Sequence, residues 1–477
     1  MNTKMRVISV GKCLFACLLI TYPTANVYAE VSSVVIDKFG RYEQPFCADS
    51  LWNSRPVEPS FASDEIPKSL YFPAVQEGAF STGFFLAKPT DPPMVIKGRT
   101  GKAGLWDVDA ESFRSDITIP HWPSNVVPAG GGDGHADVVD PVSGVIHSFY
   151  QLKSIGGQWT ATQYAWTALN GRGWGNPAHY FQGARATGVP AGAGVIRKHE
   201  VNDGDTMYRH ALAMSLTNNG LAANPAYIYP ATSADGFAAK DNYGKVPEGA
   251  LLMLPSAFNL DKLKTPELKK IAATLKTYGA YVVDANYGTP FVIYVENGSG
   301  FNLHKGSWNN IAKVELDMIR QSLRQVISTK GWMDGNRQLF TPTKNLNMLS
   351  MRGQWQLKSE GPIGVFDTLQ QAVVFNNTNA PVVQVNSSGR GLSHTSWALP
   401  QQGKSYSLRA VTSGGGKLRF QIFDKTLKKL TFDSNELSGG QTITFEWPSQ
   451  NFQPIVTAIS GVGKSSSVSA TLSEIVK

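Results

Sequence analysis

Cysteine is nearly missing from this chain. Of three in all, Cys13 and Cys17 fall within the first 29 residues, and Cys47 stands alone beyond them. One cysteine makes no internal disulfide, so a disulfide-stapled miniprotein is excluded and an ordinary packed core must hold the fold. Beyond the N-terminus no apolar run approaches the roughly 18 residues that cross a bilayer as a helix, so no membrane anchor is expected. Clustered charge is also lacking. Lys and Arg outnumber Asp and Glu by 44 to 36, for a formal net charge of +8, but the cations are scattered rather than gathered in a stripe. With no recognisable binding motif, that spread argues against nucleic acid; it suits mere solubility or an anionic polymer as partner. No Gly-x-Ser-x-Gly nucleophile turn occurs either.

The N-terminus carries a clear signal. "MNTKMRVISVGK" brings Lys4, Arg6 and Lys12 without an acid, "CLFACLLITY" supplies a short apolar core, and Val27 and Ala29 sit at the small-residue positions of a cleavage site. This predicts a secretory signal peptide over residues 1–29 and a secreted or periplasmic protein. Leu14-Phe15-Ala16-Cys17 loosely resembles a lipidation box. Cys17 follows Lys12 too soon, however, to leave an apolar core before it.

Glycine and proline are plentiful, at 46 and 27, and many short runs alternate apolar with polar. "GVIHSFYQL", "QWTATQYAWTAL", "GVIRKHEVNDG", "TMYRHALAMSL" and "AYVVDANYGTPFVIYVE" read as strands bounded by turn residues. Two stretches read as helices. In "TPELKKIAATLKTYG", Thr265 caps, Pro266 takes the first turn, Gly279 stops, and Leu268, Ile271, Ala272, Leu275 and Tyr278 make one stripe. In "NNIAKVELDMIRQSLRQVI" (309–327), the spacing predicts burial of Ile311, Val314, Met318, Leu323 and Val326. Residues 331–350 lose any period and read as a linker. Beyond them, short alternating strands predict a second β-sandwich over 350–477. Its "GKSYSLRAVTSGGGKLRFQIFD" is similar to the strand-turn-strand pattern of carbohydrate-binding modules. The expected fold is mainly β: a jelly-roll-like sandwich over 30–335 under two covering helices, then the smaller sandwich.

For chemistry, "GGGDGHADVVDP" (130–141) stands out. It lacks the Lys-Ser/Thr of a phosphate loop. Asp133, Asp137 and Asp140 do not have the spacing of a calcium loop, although oxygens converging from distant strands leave a divalent cation open. No other cofactor is implied. As a strand, "HADVVD" puts His135, Asp137 and Val139 on one face. A strand at 194–204 would pair Arg197 with His199 and set Lys198 and Glu200 opposite. A third would put Tyr208 and His210 on one side. A lone histidine in any of these strands is, more often than not, a satisfied structural residue.

The order of motifs resembles a family of mostly uncharacterised secreted bacterial proteins. It is carried by "FCADSLWNSRP" (46–56), "GDGHADVVDPVSGVIHSFYQ" (132–151), "GARATGVPAGAGVIRKHEVNDGDTMYRHALAM" (183–214), "YIYPATSADG" (227–236), "VPEGALLMLP" (246–255) and "LKTYGAYVVD" (275–284). The resemblance singles out Asp133, His135, Asp140, Tyr150, Arg197, Glu200, His210, Asp235 and Asp284. It omits Asp137, and Gln151 stands where the family often has Glu.

These residue types suit two reactions. β-Elimination from a uronate polymer needs a cation for the carboxylate, a base and an acid. Arg197 can neutralise, His135 or His210 can act as base, and Tyr150 as acid. Hydrolysis needs a carboxylate pair, which Glu200 with Asp133, Asp140 or Asp284 could supply. Aromatics support a polysaccharide partner: Trp159, Tyr164, Trp166, Trp174, Tyr180 and Phe181 crowd one stretch, and Trp174, in a glycine-rich loop, is expected to be the exposed sugar platform. Elimination leads, hydrolysis follows, and a non-catalytic glycan binder is the third reading. Convergence of His135, Arg197, Glu200 and His210 in one groove would favour an enzyme.

Overall fold

The computed structural model describes residues 38–108, 112–174, 181–343, 356–358, 362–367, 372–385 and 400–475. The expected signal peptide and Tyr180 lie outside them. Strand content is four times helix content, 36% against 9%, so the chain is mainly β, as its turn-rich alternation predicts.

A six-stranded sheet contains β1 (Gly83–Leu86), β2 (Ala136–Asp140), β3 (Val145–Tyr150) and β4 (Gln163–Ala168) side by side. β2 and β3 form an antiparallel hairpin with Val145 opposite Asp140 and Phe149 opposite Ala136. The turn is made by the sequence itself. The Asp140 carboxylate accepts from the Val142 and Ser143 amides at 2.9 and 3.2 Å, and Gly144 takes φ +69°.

A seven-stranded sheet places β5 (Leu212–Thr217) between β6 (Ala280–Asn286) and β7 (Phe291–Tyr294). Alternation sorts its two faces. Leu212, Met214, Leu216, Val282 and Ile293 pack with Leu268, Ile271, Leu275 and Leu316 of the covering helices. Ala213, Val283, Val292 and Tyr294 pack instead with Phe84, Val139 and Ile146 of the first sheet. The first sheet's other face, with Ala136, Val138 and Phe149, packs on Ile96, Ile119 and Ala161 of a four-stranded sheet. The layers therefore run helices, sheet, sheet, sheet. β1 with β2, β4 with Leu105–Asp107, and β5 with β6 are parallel pairs. A jelly roll is antiparallel throughout, so the expectation stands as stacked sheets and its jelly-roll detail does not follow.

Helix α1 is a single turn, Ala238–Asp241. Helix α2, Pro266–Thr277, starts and stops where the sequence predicts, with Gly279 at φ +75° beyond it. Helix α3, Asn310–Ser322, exposes Ile311 and Val314 and buries Ala312, Glu315, Leu316, Ile319 and Arg320. The predicted stripe is thus rotated at Ile311 and Val314, for a polar reason, while Leu323 is buried and Met318 and Val326 are partly buried as expected. The Thr265 side chain caps nothing, and Glu315 takes the Lys264 and Thr265 amides at the start of α2 instead. The predicted helix also ends early, because Arg324–Ser328 pairs as a strand with Leu251–Met253. Likewise the expected linker is partly structured: Gly331–Met333 pairs with Arg55–Val57.

Toward the C-terminus, six- and four-stranded antiparallel sheets enclose their own core, which includes Phe375, Tyr406, Leu408, Leu418, Phe420 and Trp447. In Lys417–Asp424 every second residue is buried, the pattern expected of a sandwich strand.

Candidate functional site

The glycines of "GGGDGHADVVDP" make a bend rather than a ligand loop. Gly134 sits at φ +47°, the carbonyl of Asp133 accepts from the Gln151 amide at 2.6 Å, and that of Gly134 accepts from Leu152 at 3.1 Å. The bend points Asp133 into a cleft of 1170 Å³ and leads through His135, which also lines it, into β2. Asp133, His135 and Tyr150 line this cleft from the first sheet. Ser215, Asp284 and Tyr294 line it from the second, and the 233–237 loop adds Asp235.

Besides Glu77 and Asp241, three carboxylates that act on one another, Asp133, Asp235 and Asp284, and the buried Arg185 guanidinium set its electrostatics. Arg185 Nη1 donates to Asp284 Oδ2 at 2.7 Å, and its guanidinium lies 4.2 Å over the Tyr294 ring. A single amide, that of Ala285, faces Asp235 Oδ2 at 3.0 Å and Asp284 Oδ1 at 3.1 Å. The two carboxylates are therefore close neighbours. Burial pushes Asp284 up and Arg185 pulls it down, but Asp235 and Asp133 add to the rise and leave it at about 7. Burial also raises Asp235, against the Ala285 amide and with the help of Asp133. Behind them buried Glu248, which accepts from the Asp235 amide at 3.3 Å, is driven well up by burial and by both aspartates. One cation cannot balance these acids, so protons must.

On the opposite wall, Asp133 is half-buried. Burial raises it, while Arg185 and a hydrogen bond from Tyr150 oppose the rise. His135 Nδ1 lies 3.3 Å from the Phe149 carbonyl, which can only accept, so the proton is on Nδ1 and Nε2 carries the lone pair. Burial, and then Arg185, depress this histidine to about 3, so it is a neutral acceptor. Trp106, Phe80, Phe237 and Tyr287 supply aromatic surface.

Of the residues named from sequence, Asp133, His135, Tyr150, Asp235 and Asp284 converge here. Arg197, Glu200 and His210 do not, which corrects the expected four-residue groove. The stretch 194–204 forms a 3-10 turn at Lys198–Glu200 instead of a strand. Arg197 donates to Glu296 at 2.9 Å and to the Tyr42 carbonyl at 2.8 Å, stacked over Phe84 at 4.1 Å. Glu200 accepts from its own turn at Arg197 N and meets His210 Nε2 at 3.1 Å. His210, Arg197 and Glu200 are each under 10% exposed and bind one another's elements together.

Asp140 is also corrected: it is fully buried, holding its hairpin turn and His121 Nδ1 at 2.8 Å. Trp174 is 1% exposed, stacked 5.4 Å from Trp52, with Nε1 donating to the Thr187 carbonyl. Trp166 is half-buried against the core under the first sheet. Asp137 accepts from Ser148 Oγ at 2.6 Å and from the Gly192 amide, away from the cleft. Sequence reading missed Arg185, whose "GARATG" setting resembles an ordinary loop, and gave Asp235 no role. Among the described residues, no three His, Cys, Asp or Glu side chains are grouped to hold a metal ion.

The Glu200–His210 pair predicts a stability window. Burial alone would raise Glu200, but the charge and hydrogen bond of His210 outweigh it and hold it at about 2. Burial would lower His210, yet Glu200 raises it. The acid's contribution is present above its unfolded value of about 4.5 and is lost as pH falls toward 2. The histidine's contribution is complete below its unfolded value of about 6.5 and is lost as pH rises through its elevated folded value. Urea midpoints are therefore expected to be highest between those unfolded values, and His210→Gln to flatten the alkaline fall.

No protein family matches the chain, and no curated protein does. Among solved structures, the Glycosylation Associate Protein (Gap123) complex from Streptococcus agalactiae matches 26% of this chain and 44% of its own, at 18% identity and a TM-score of 0.19. Accessory secretory protein 1,2 and 3 in Streptococcus pneumoniae matches 26% of this chain and 88% of its own, at 12% identity and a TM-score of 0.17. This chain thus spans less than half of the first and most of the second, at scores too low to relate their folds. Among the described residues no helix is long and apolar enough to cross a membrane.

Proposed function

We propose that this chain is a secreted glycoside hydrolase that cuts a neutral polysaccharide in the 1170 Å³ cleft. The observation that carries the reading is the Asp235–Asp284 pair sharing one amide, with Asp133 on the facing wall. Hydrolysis of a glycosidic bond needs a proton donor for the leaving oxygen and a second carboxyl group that acts as nucleophile or activates water. Asp284, raised to about 7, is the donor, and Asp235 shares its proton. Asp133, more accessible and stabilised as an anion by Tyr150, takes the second role. His135 Nε2 accepts a sugar hydroxyl.

Elimination fits less well. Its intended neutraliser, Arg197, is engaged by Glu296, and the cleft's own cation, Arg185, is engaged by Asp284. A uronate would bring its negative charge beside Asp133 and the proton-sharing Asp235–Asp284 pair, acids that already outnumber the cleft's buried cation. The test is digestion of neutral and uronate polymers, read both as reducing ends and as ultraviolet absorbance of unsaturated products. Reducing ends from a neutral polymer without new absorbance are expected. Unsaturated products would overturn hydrolysis in favour of the lyase, and retention on a polymer without cleavage would favour a binder.

A further inference from the structure

Aromatic surface continues past the cleft. Tyr287 stands at the cleft edge and is 81% exposed. The next residue, Gly288, sits at φ +75°, and the Tyr71 ring lies 3.1 Å from where a Cβ would stand. The Tyr71 amide donates to the Gly288 carbonyl at 2.8 Å, which fixes that strap against the rim. Phe72 follows, and its ring centroid is 5.9 Å from that of Trp308. Trp308, 52% exposed, forms one wall of a second hollow of 600 Å³. His304 stacks behind it at 4.2 Å and 7°, and the Trp308 Nε1 donates to Asn310 Oδ1 at 3.1 Å. The indole is thus braced by His304 and flanked by Phe72, and half of the residue stays exposed.

Isolated exposed aromatics are ordinary, but a connected row between two hollows is not. We propose that Tyr287, Tyr71, Phe72 and Trp308 form a track for a polysaccharide running out of the cleft. The substrate is then a polymer held over several units rather than a short oligosaccharide. This rests on the hydrolase reading of the cleft. The surroundings favour sugar over a protein or lipid surface. The Lys313 ammonium lies 4.1 Å over Phe72, and a Lys305–Glu267 ion pair borders the second hollow. An apolar partner would strip water from these charges, and interface cores avoid them. A sugar stacks its C–H face on a ring while its hydroxyls hydrogen-bond to the charged groups beside it.

The experiment uses the full chain and two variants at exposed positions, Trp308→Ala and Tyr71→Ala. Migration is followed in native gels containing neutral β-glucan, xylan or arabinan, and cleavage of polymer is compared with cleavage of trisaccharide. The expected result is retention weakened about tenfold or more by either change. The polymer-to-trisaccharide ratio of kcat/KM is expected to fall by a similar factor. Retention is read whether or not the chain is cut, so retention that depends on Trp308 without any hydrolysis would overturn the cleft reading and keep the track. Unaltered retention and an unaltered ratio in both variants would overturn the track, whatever the cleft does. The track would also fall if the unaltered protein bound none of the polymers, or if the variants instead split a dimer in sedimentation.

Discussion

Asp284→Asn is expected to lower kcat on the susceptible polysaccharide by about 10²–10⁴-fold, the range that a positioned proton donor contributes. The amide keeps the shape of the protonated acid, and its single oxygen can still accept from Arg185 while the Ala285 amide keeps Asp235 as its acceptor, but it has no acidic proton to give. The pH profile is the sharper signature. With Asp284 at about 7, kcat/KM is expected to fall tenfold per pH unit on the alkaline side, and that limb is expected to vanish from the variant's residual rate. Stability provides the control. The folded chain holds a proton on Asp284 that the unfolded chain has released above about 4. The group's contribution therefore declines as pH rises from there through about 7. At pH 6 the variant, a mimic of the protonated state, is expected to unfold at nearly the urea concentration of the unaltered protein. Full activity in Asp284→Asn, or a flat alkaline limb in the unaltered enzyme, would remove Asp284 from the mechanism.

How much of this could be read from the residues depended on the range of the forces involved. The alternation of Leu212, Met214 and Leu216, and the proline and glycine that bound α2, are local signals, and they survive in the fold. Arg185 was not legible, because its partner Asp284 lies 99 residues on and no periodicity links them. Trp174 misled in an instructive way. Its neighbour Gly173 suggested an open loop, yet a Cβ there would stand 2.3 Å from the Phe46 ring, so the glycine marks close packing. On α3, apolarity suggested a face through Ile311 and Val314. The buried amides of Lys264 and Thr265, just ahead of α2, take Glu315 as their acceptor, and this turns that face of the helix inward. Arg197, Glu200 and His210 misled because a buried ion network uses the same residue types as catalysis, and composition alone cannot distinguish the two.

Arg197→Met separates those two roles directly. If Arg197 is structural, the variant loses stability and keeps its rate per folded molecule. Its guanidinium is 4% exposed and Glu296 is 1% exposed, so removing the cation leaves a carboxylate deep in the fold. Unpairing a buried ion costs about 3–5 kcal/mol. The lower end is expected here, since the Lys198 amide at 3.1 Å and its ammonium at 3.6 Å still face Glu296. Packing adds to the loss, because Arg197 also lies over Tyr42 and Phe84. The double variant Arg197→Met/Glu296→Met removes both charges and is expected to recover much of the urea midpoint, as apolar replacements of buried pairs do. A protein of unchanged midpoint but abolished turnover would instead return Arg197 to the active site. Because Arg197 is held by Glu296 and lies apart from the residues that line the cleft, the expected outcome is the reverse, a lower midpoint with turnover retained in the folded fraction.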